Sequence, residues 1–286
     1  MSNNNPFVSL VDCPRDAIQG IKYPIDTKRK IQYINQLIKS KLFDCIDFGS
    51  FVSPKAVPQM ADTKEVLEGL EKDEQVKLLA IIANQRGAQI GAEHQQIDYL
   101  GFPFSISETF QQNNTNSSIQ EAYVNVQGIL DILNKAGKQE LVVYISMAFG
   151  NPYGDDWSMV LVSDWIGRLR EAGVSNFSIA DTTAEATPES VGELFRKLGS
   201  DFPDNSFSIH LHSQIESALL KVNAAYDAGC RRFEGAILGY GGCPFAKDEL
   251  VGNIPTEWLV DRFNKGSYEQ VQQLMFGFQD LIRNEL

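Results

Sequence analysis

Ser206-Phe207-Ser208-Ile209-His210-Leu211-His212 is a short apolar run that ends on two histidines. In a strand, alternate side chains share a face, so His210 and His212 point the same way and can both reach one metal ion; alone, His-x-His is a weak signal. These are two of only three histidines in 286 residues. Working outward, the run is the seventh of eight similar apolar segments. The others cover residues 7–12, 43–48, 76–82, 97–104, 141–146, 176–181 and 232–238, and the seventh itself spans 207–212. Helical patterns separate them at 27–39, 62–71, 118–136, 158–172, 188–199 and 214–228. Thr187-Pro188-Glu189 reads as an N-cap followed by proline in the first turn. Lys135-Ala136-Gly137, Glu171-Ala172-Gly173 and Asp227-Ala228-Gly229 read as helix ends with glycine just beyond.

Eight strands alternating with helices predict an α/β fold, a single (β/α)8 TIM barrel over residues 1–286, with extra C-terminal helices from Thr256 onward packed on its exterior. A doubly wound sheet is the runner-up, and it loses ground because no Gly-x-Gly-x-x-Gly follows the first strand. The polar tract 111–118 reads as a loop after the fourth strand.

Composition narrows the function. The net charge of −12 disfavours nucleic acid and anionic membrane as partners. No apolar run approaches the ~20 residues that span a bilayer, and the polar start Met1-Ser2-Asn3-Asn4-Asn5-Pro6 has no leader pattern. Cys13, Cys45, Cys230 and Cys243 are scattered without Cys-x-x-Cys spacing, which fits a reducing compartment. The expected location is cytoplasmic.

In a (β/α)8 barrel the active site lies at the C-terminal ends of the strands. Arg15 and Asp16 fall after the first strand and Asp47 ends the second. Tyr144 is late in the fifth, Asp181 and Thr182 end the sixth, and His210 and His212 end the seventh. Cys243 and Asn253 lie in the glycine-rich stretch after the eighth. Each has an ordinary structural alternative, such as a turn cap or a small buried side chain; their convergence on one rim argues for a site. The inferred metal set is Asp16, His210, His212 and Asn253. Nitrogen and oxygen donors without thiolate suit Mg2+ or Mn2+, with Zn2+ also admissible. Cys243 is then free for acid–base work, and the flanking glycines give its loop freedom to open and close.

The chain resembles the 3-hydroxy-3-methylglutaryl-CoA lyase family of the DRE-TIM metallolyase superfamily. The resemblance rests on Pro14-Arg15-Asp16-x-x-Gln19, Ser50-Phe51-Val52-Ser53-Pro54-Lys55, Asn114-Thr115-Asn116, Asp181-Thr182, His210-Leu211-His212 and Gly241-Gly242-Cys243-Pro244-Phe245-Ala246. It implies a carbon–carbon lyase that cleaves 3-hydroxy-3-methylglutaryl-CoA to acetoacetate and acetyl-CoA with a divalent metal, and a homodimer at the family level. It carries over Asp16, His210, His212 and Asn253 as metal ligands, and Arg15 as the group that stabilises the enolate. Cys243 becomes the loop acid or base, and Asp47 stands in for an essential glutamate. Gln19, Ser50, Asn114, Tyr144, Ser178, Asp181 and Thr182 would line the substrate pocket, and Lys22 would meet the CoA moiety. Asp47 is one methylene shorter than the usual Glu. Ser213, Val142 and Asn151 replace an Asp, an Arg and a Cys. Two alternatives stay open: a related lyase or condensing enzyme on another acyl-CoA or 2-oxo acid, and a metal-binding barrel without catalysis.

Overall fold

The computed structural model describes residues 7–242 and 251–283. Eight parallel strands close on themselves: β1 (Ser9–Asp12), β2 (Cys45–Ser50), β3 (Lys77–Ile81), β4 (Tyr99–Ser105), β5 (Glu140–Ser146), β6 (Asn176–Asp181), β7 (Ser206–Ser213) and β8 (Arg232–Gly235). Each pairs with the next, β6 with β7 and β8 with β1, so the (β/α)8 barrel expected from the alternation is the fold observed. The connecting helices are α1 (Pro14–Gln19), α2 (Thr27–Ser40), α3 (Thr63–Glu68), α4 (Gln85–Ala92), α5 (Glu108–Thr115), α6 (Ile119–Ala136), α7 (Met159–Glu171), α8 (Pro188–Asp201) and α9 (Ile215–Asp227). A two-residue strand β9 (Gly252–Asn253) and the helices α10 (Thr256–Arg262) and α11 (Tyr268–Leu281) follow. α11 packs on α2, with the Tyr33 and Phe278 rings 5.5 Å apart, so the C-terminal tail covers the barrel exterior as expected.

The large core lies between the outer faces of the strands and the helices, and includes Leu10, Ile46, Leu78, Phe102, Phe177, Ile209 and Phe233. A second, smaller apolar cluster of Val11, Cys13, Cys45, Leu79, Val142 and Tyr144 fills one side of the barrel interior. Every residue of β2 is buried, as a strand walled on both faces requires. A register shift between Asp47 and Gly49 lets Asp47 stay paired with Leu79 while the strand continues.

Two differences from the sequence reading have local causes. Part of the tract 111–118 is helical, within α5. Ser107 caps that helix by accepting from the Phe110 N–H at 3.1 Å, and Glu108 sits in the first turn, so polar residues are held in a helix by its end rather than by an apolar face. The eighth strand stops at Gly235 rather than 238. The chain then turns through Ile237–Gly239, with Leu238 at φ 60°, because Ala236 pairs with the segment that leads into α10.

Where β1 meets α10, Asp12 is fully buried. It accepts a hydrogen bond from the Thr256 hydroxyl at 2.6 Å, and its other oxygen has no partner among the described residues. Burial is the main cause that raises its pKa to about 7; the Thr256 bond opposes the shift. An unfolded aspartate titrates near ~3.9. Over the interval between those values the folded state keeps a proton that the unfolded state gives up, so this group's contribution to stability is complete in acid and is lost as pH rises towards neutrality. Asp12→Asn keeps the acceptor for Thr256 and cannot ionise. Its stability relative to the natural chain should be near parity at pH ~4 and should rise to a gain of about 2–4 kcal/mol at pH ~8, read from urea unfolding at the two pH values. A pH-independent difference would remove Asp12 as the cause.

Candidate active site

The rim of the barrel is organised by strand order. β8 lies between β1 and β7, so the turn after β1, the end of β7 and the interior face of β8 are neighbours. His210 is in register with Glu234, and His212 is in register with Asn253 through the antiparallel β7–β9 pair. One potential ligand atom from each of Asp16, His210 and His212 lies within 4.8 Å of the others. Asn253 joins them: its Nδ2 donates to Asp16 Oδ2 at 2.6 Å and to the Tyr240 carbonyl at 2.8 Å. Its Oδ1 is buried and has no partner among the described residues, and neither has His212 Nδ1. The four residues proposed as a metal set from sequence are thus brought together, and two of them present unmet buried polar atoms.

Electrostatics suits the cluster to a cation. Burial works to raise Asp16, but Arg15, His210, His212 and the Asn253 bond outweigh it and hold the carboxyl at about 2, so it remains anionic. Burial and neighbouring His210 depress His212 to about 4, which keeps that imidazole neutral and its lone pair available. A divalent cation fits this donor set: one anionic oxygen, two imidazoles and an amide oxygen.

Arg15 is held from two sides. Its Nε and Nη2 donate to Asp47 Oδ2 at 3.0 and 2.5 Å, and its Nη1 donates to Asp16 Oδ1 and Gln19 Oε1, both at 3.1 Å. The shorter Asp47 therefore reaches the guanidinium and engages it as a fork. Burial opposes the charge, but Asp47 and Asp16 raise the Arg15 pKa above its ordinary value, so the cation is fixed. Four of its five N–H groups are engaged in these bonds; one on Nη2 is left over.

Glu234 is the residue the sequence reading missed. It lies inside the barrel, accepts from the Ser178 and Ser208 hydroxyls at 2.7 and 2.6 Å, and sits 3.2 Å from His210 Nδ1. Burial works to raise its pKa, but these three bonds lower it, so a carboxylate faces the ring. Nδ1–H then donates to Glu234, the arrangement by which a second carboxylate orients a metal-binding histidine; burial would lower the His210 pKa, but the Glu234 bond and charge raise it, so a cation at the other ring nitrogen would take the place of a proton. The signal was present: Arg232-Phe233-Glu234 alternates, and the inward face of that strand is charged.

The other expected residues divide. Tyr144 is buried with its ring edge-on to His210, centroids 6.0 Å apart, and its hydroxyl has no partner among the described residues, so it faces the site. Ser50 is buried at the end of β2, its hydroxyl bonded to the Val52 N–H. Gln19 is committed to Asp16 at 2.7 Å and to Arg15. Asn114 and Lys22 are exposed, on α5 and just beyond α1. Ser178 serves Glu234. Thr182 accepts from the Met147 N–H at 2.9 Å, tying the ends of β5 and β6. Asp181 accepts from the N–H groups of Glu185 and Ala186 and meets Lys221 at 3.2 Å in a buried pair. Ser178, Asp181 and Thr182 each turn a polar atom to an internal partner on a neighbouring strand, loop or helix. Cys243 lies outside the described residues. Just before it, Gly241 has φ 91°, and a Cβ there would come within 2.7 Å of the Asp16 carbonyl and 2.8 Å of Asn253 Nδ2. This glycine serves close packing beside the ligands, where the sequence suggested only loop freedom.

The fold and this rim define a (β/α)8 barrel with a cation-ready carboxylate–histidine–amide cluster beside a fixed arginine. The HMGL-like family model matches residues 8–274, and the chain belongs to that family. The hydroxymethylglutaryl-CoA lyase of Bacillus subtilis is 34% identical over 249 residues, covering 86% of this chain and 81% of that protein. The 3-hydroxy-3-isohexenylglutaryl-CoA/hydroxymethylglutaryl-CoA lyase of Pseudomonas aeruginosa is 33% identical over 261 residues, covering 90% and 85%. A solved HMG-CoA lyase from Acinetobacter baumannii, in complex with coenzyme A and 3-methylmalate, aligns with TM-score 0.89 at 29% identity and covers 98% of this chain and 93% of that one. No helix among the described residues is long and apolar enough to cross a membrane.

Two substitutions separate ligand from support. His212→Ala should abolish stoichiometric divalent metal in the purified protein while leaving the far-UV circular dichroism unchanged. Glu234→Gln should leave binding measurable but about 10–100-fold weaker, because an amide in place of the carboxylate no longer enforces the Nδ1–H tautomer of His210. Mn2+ titration followed by electron paramagnetic resonance reads both. Wild-type affinity in either variant would remove that residue from the centre.

Proposed function

We propose that this chain is a hydroxymethylglutaryl-CoA lyase, a single catalytic barrel that cleaves 3-hydroxy-3-methylglutaryl-CoA to acetoacetate and acetyl-CoA in the cytoplasm. The observation that carries this reading is the meeting of Asp16, His210, His212 and Asn253 with Arg15 on one rim. Membership of a family whose compared relatives are lyases of this type supports it, as does the coenzyme A held by the Acinetobacter baumannii enzyme.

Asp16, His210, His212 and Asn253 would hold Mg2+ or Mn2+, with Zn2+ as a further option, and such an ion supplies Lewis acidity towards the substrate's hydroxyl and carbonyl oxygens. The chain's own residues do the rest. Cleavage starts with loss of the C3 hydroxyl proton to Asp16 or to a group it relays to. Asp16 is held at about 2, so a proton it accepts passes on to solvent water. As the bond between C2 and C3 breaks, its electrons move into the thioester and give an enolate. The remaining Nη2–H of Arg15 is available to that oxygen, and the Asp47 fork keeps the guanidinium from following the substrate. Cys243 is assigned, on the family resemblance, to protonate the enolate carbon. Lys22, exposed beyond α1, is assigned to the CoA moiety, and Ser50, Asn114 and Tyr144 to the acyl portion. A second copy of the chain would make a homodimer.

The test is acetoacetate release from 3-hydroxy-3-methylglutaryl-CoA by metal-supplemented protein. Turnover should need divalent metal and should be lost in His212→Ala. Arg15→Lys should lower kcat on the order of 10²-fold or more, because an ammonium cannot hold the Asp47 fork and present a further N–H at once. Acetoacetate formation that survives chelation, or a near-normal rate for Arg15→Lys, would overturn this mechanism.

A further inference from the structure

At the opposite end of the barrel, where the strands begin, lies a cavity of about 480 Å3. Its wall includes Tyr99, Phe177, Phe195, Phe202, Phe207 and Arg232. Nothing in the proposed reaction uses it, since chemistry on this fold occurs at the C-terminal ends of the strands. The volume falls within the range of small-molecule pockets, roughly 300–1,000 Å3. The wall mixes aromatic side chains with polar ones, among them Asn176, Ser206, Ser208 and the neighbouring arginines Arg231 and Arg232.

Arg232 is half-buried on the inward face of β8, between Ser9 of β1 and Ser208 of β7 in register. Its guanidinium carbon sits 5.3 Å from the centre of the Tyr99 ring, which steadies it. Among the described residues no carboxylate forms an ion pair with it, and no hydrogen bond from its five N–H groups is found. The nearby candidate is Glu234, two residues along the same face. It attracts the Arg232 charge but makes no hydrogen bond to it; its carboxylate accepts from Ser178 and Ser208 and meets His210, at 2.7, 2.6 and 3.2 Å. Neighbouring Arg231 shows the contrast: its Nη1 donates to two backbone carbonyls. A planar fork without a hydrogen-bonded acceptor at the edge of such a cavity is complementary to a carboxylate.

The geometry points to a second ligand site at the N-terminal mouth of the barrel, which binds a small carboxylate with its anionic end on Arg232 and its apolar body towards Tyr99. The site is separate from the metal rim and stands independently of the reaction assigned there.

Benzoate is the probe, with benzyl alcohol as its uncharged counterpart, titrated calorimetrically into the metal-loaded full-length protein. The natural chain should bind benzoate about ten- to hundredfold more tightly than benzyl alcohol. Arg232→Met should remove that difference, and Arg232→Lys should restore only part of it, since it returns the charge without the fork. His212→Ala should bind benzoate as the natural chain does, which distinguishes this site from carboxylate capture at the metal. A crystal grown with para-bromobenzoate should show anomalous bromine signal in the cavity, a readout that holds even if Arg232→Met fails to fold. Three results would each overturn the proposal: benzoate binding unchanged by Arg232→Met in a folded protein, binding lost in His212→Ala, or bromine found only at the metal rim.

Discussion

The site depends on the placement of β8 between β1 and β7. A closed parallel barrel fixes which strand ends are neighbours, and here closure sets the turn that carries Arg15 and Asp16 beside the strand that carries His210 and His212. β8 itself contributes Glu234 at the height of His210, and β9 adds to the edge of β7 to put Asn253 opposite His212. None of these residues is near all the others in sequence; Asp16 and Asn253 are 237 positions apart. A one-residue slip of β8 against β7 would turn Glu234 outward and Phe233 inward, because side chains alternate along a strand. The large core outside the barrel resists that slip, since Phe233 and Ile209 are packed there together.

Much of this was legible in the sequence, for physical reasons. Strand–helix alternation with glycine at helix ends is local information, and it gave the eight strands, the major helices and the helical tail. His210 and His212 were legible because a period of two is also local. Glu234 was not, since a single acid in a short strand looks the same whether it faces solvent or a barrel interior; only closure shows that Ser178, Ser208 and His210 surround it. The short helices α1, α4 and α5 were missed for a related reason. With few apolar positions, α5 owes its start to the Ser107 cap, and the hydrophobic period has little to report. The residues assigned to a pocket by resemblance fared unevenly. Tyr144 faces His210, whereas Asp181 turned out to serve Lys221 and the backbone at 185–186, a partnership that links β6 to α9 and that no local pattern could reveal.

The interior of the barrel is divided in a way that matters for chemistry. One side is filled by Val11, Cys13, Cys45, Leu79, Val142 and Tyr144; the other carries Ser178, Ser208, Arg232 and Glu234. Layers of branched apolar side chains are the usual filling. A carboxylate in such a place costs several kcal/mol to desolvate, and here three donors offset that cost. The return is directional. An ionised Glu234 beside His210 holds a proton on Nδ1, so the orientation of this ring at the rim is set by groups deep in the barrel.

The same reasoning bears on the shorter Asp47. A carboxylate one methylene back from the usual glutamate would lose an arginine that stayed in place. Here the fork is intact, with Nε at 3.0 Å and Nη2 at 2.5 Å, so Arg15 and Asp47 meet in a short, fully buried contact. Asp16 and Gln19 close the remaining side of the guanidinium at Nη1. Arg15 is thus restrained by one carboxylate from β2 and another from its own helix, and the second of these also belongs to the metal cluster. Any cation drawn to Asp16 competes with Arg15 for its negative charge, which weakens the Arg15–Asp16 contact and leaves the Asp47 fork as the main restraint. With a cation at Asp16, the Asp47 fork would keep the guanidinium fixed at the rim.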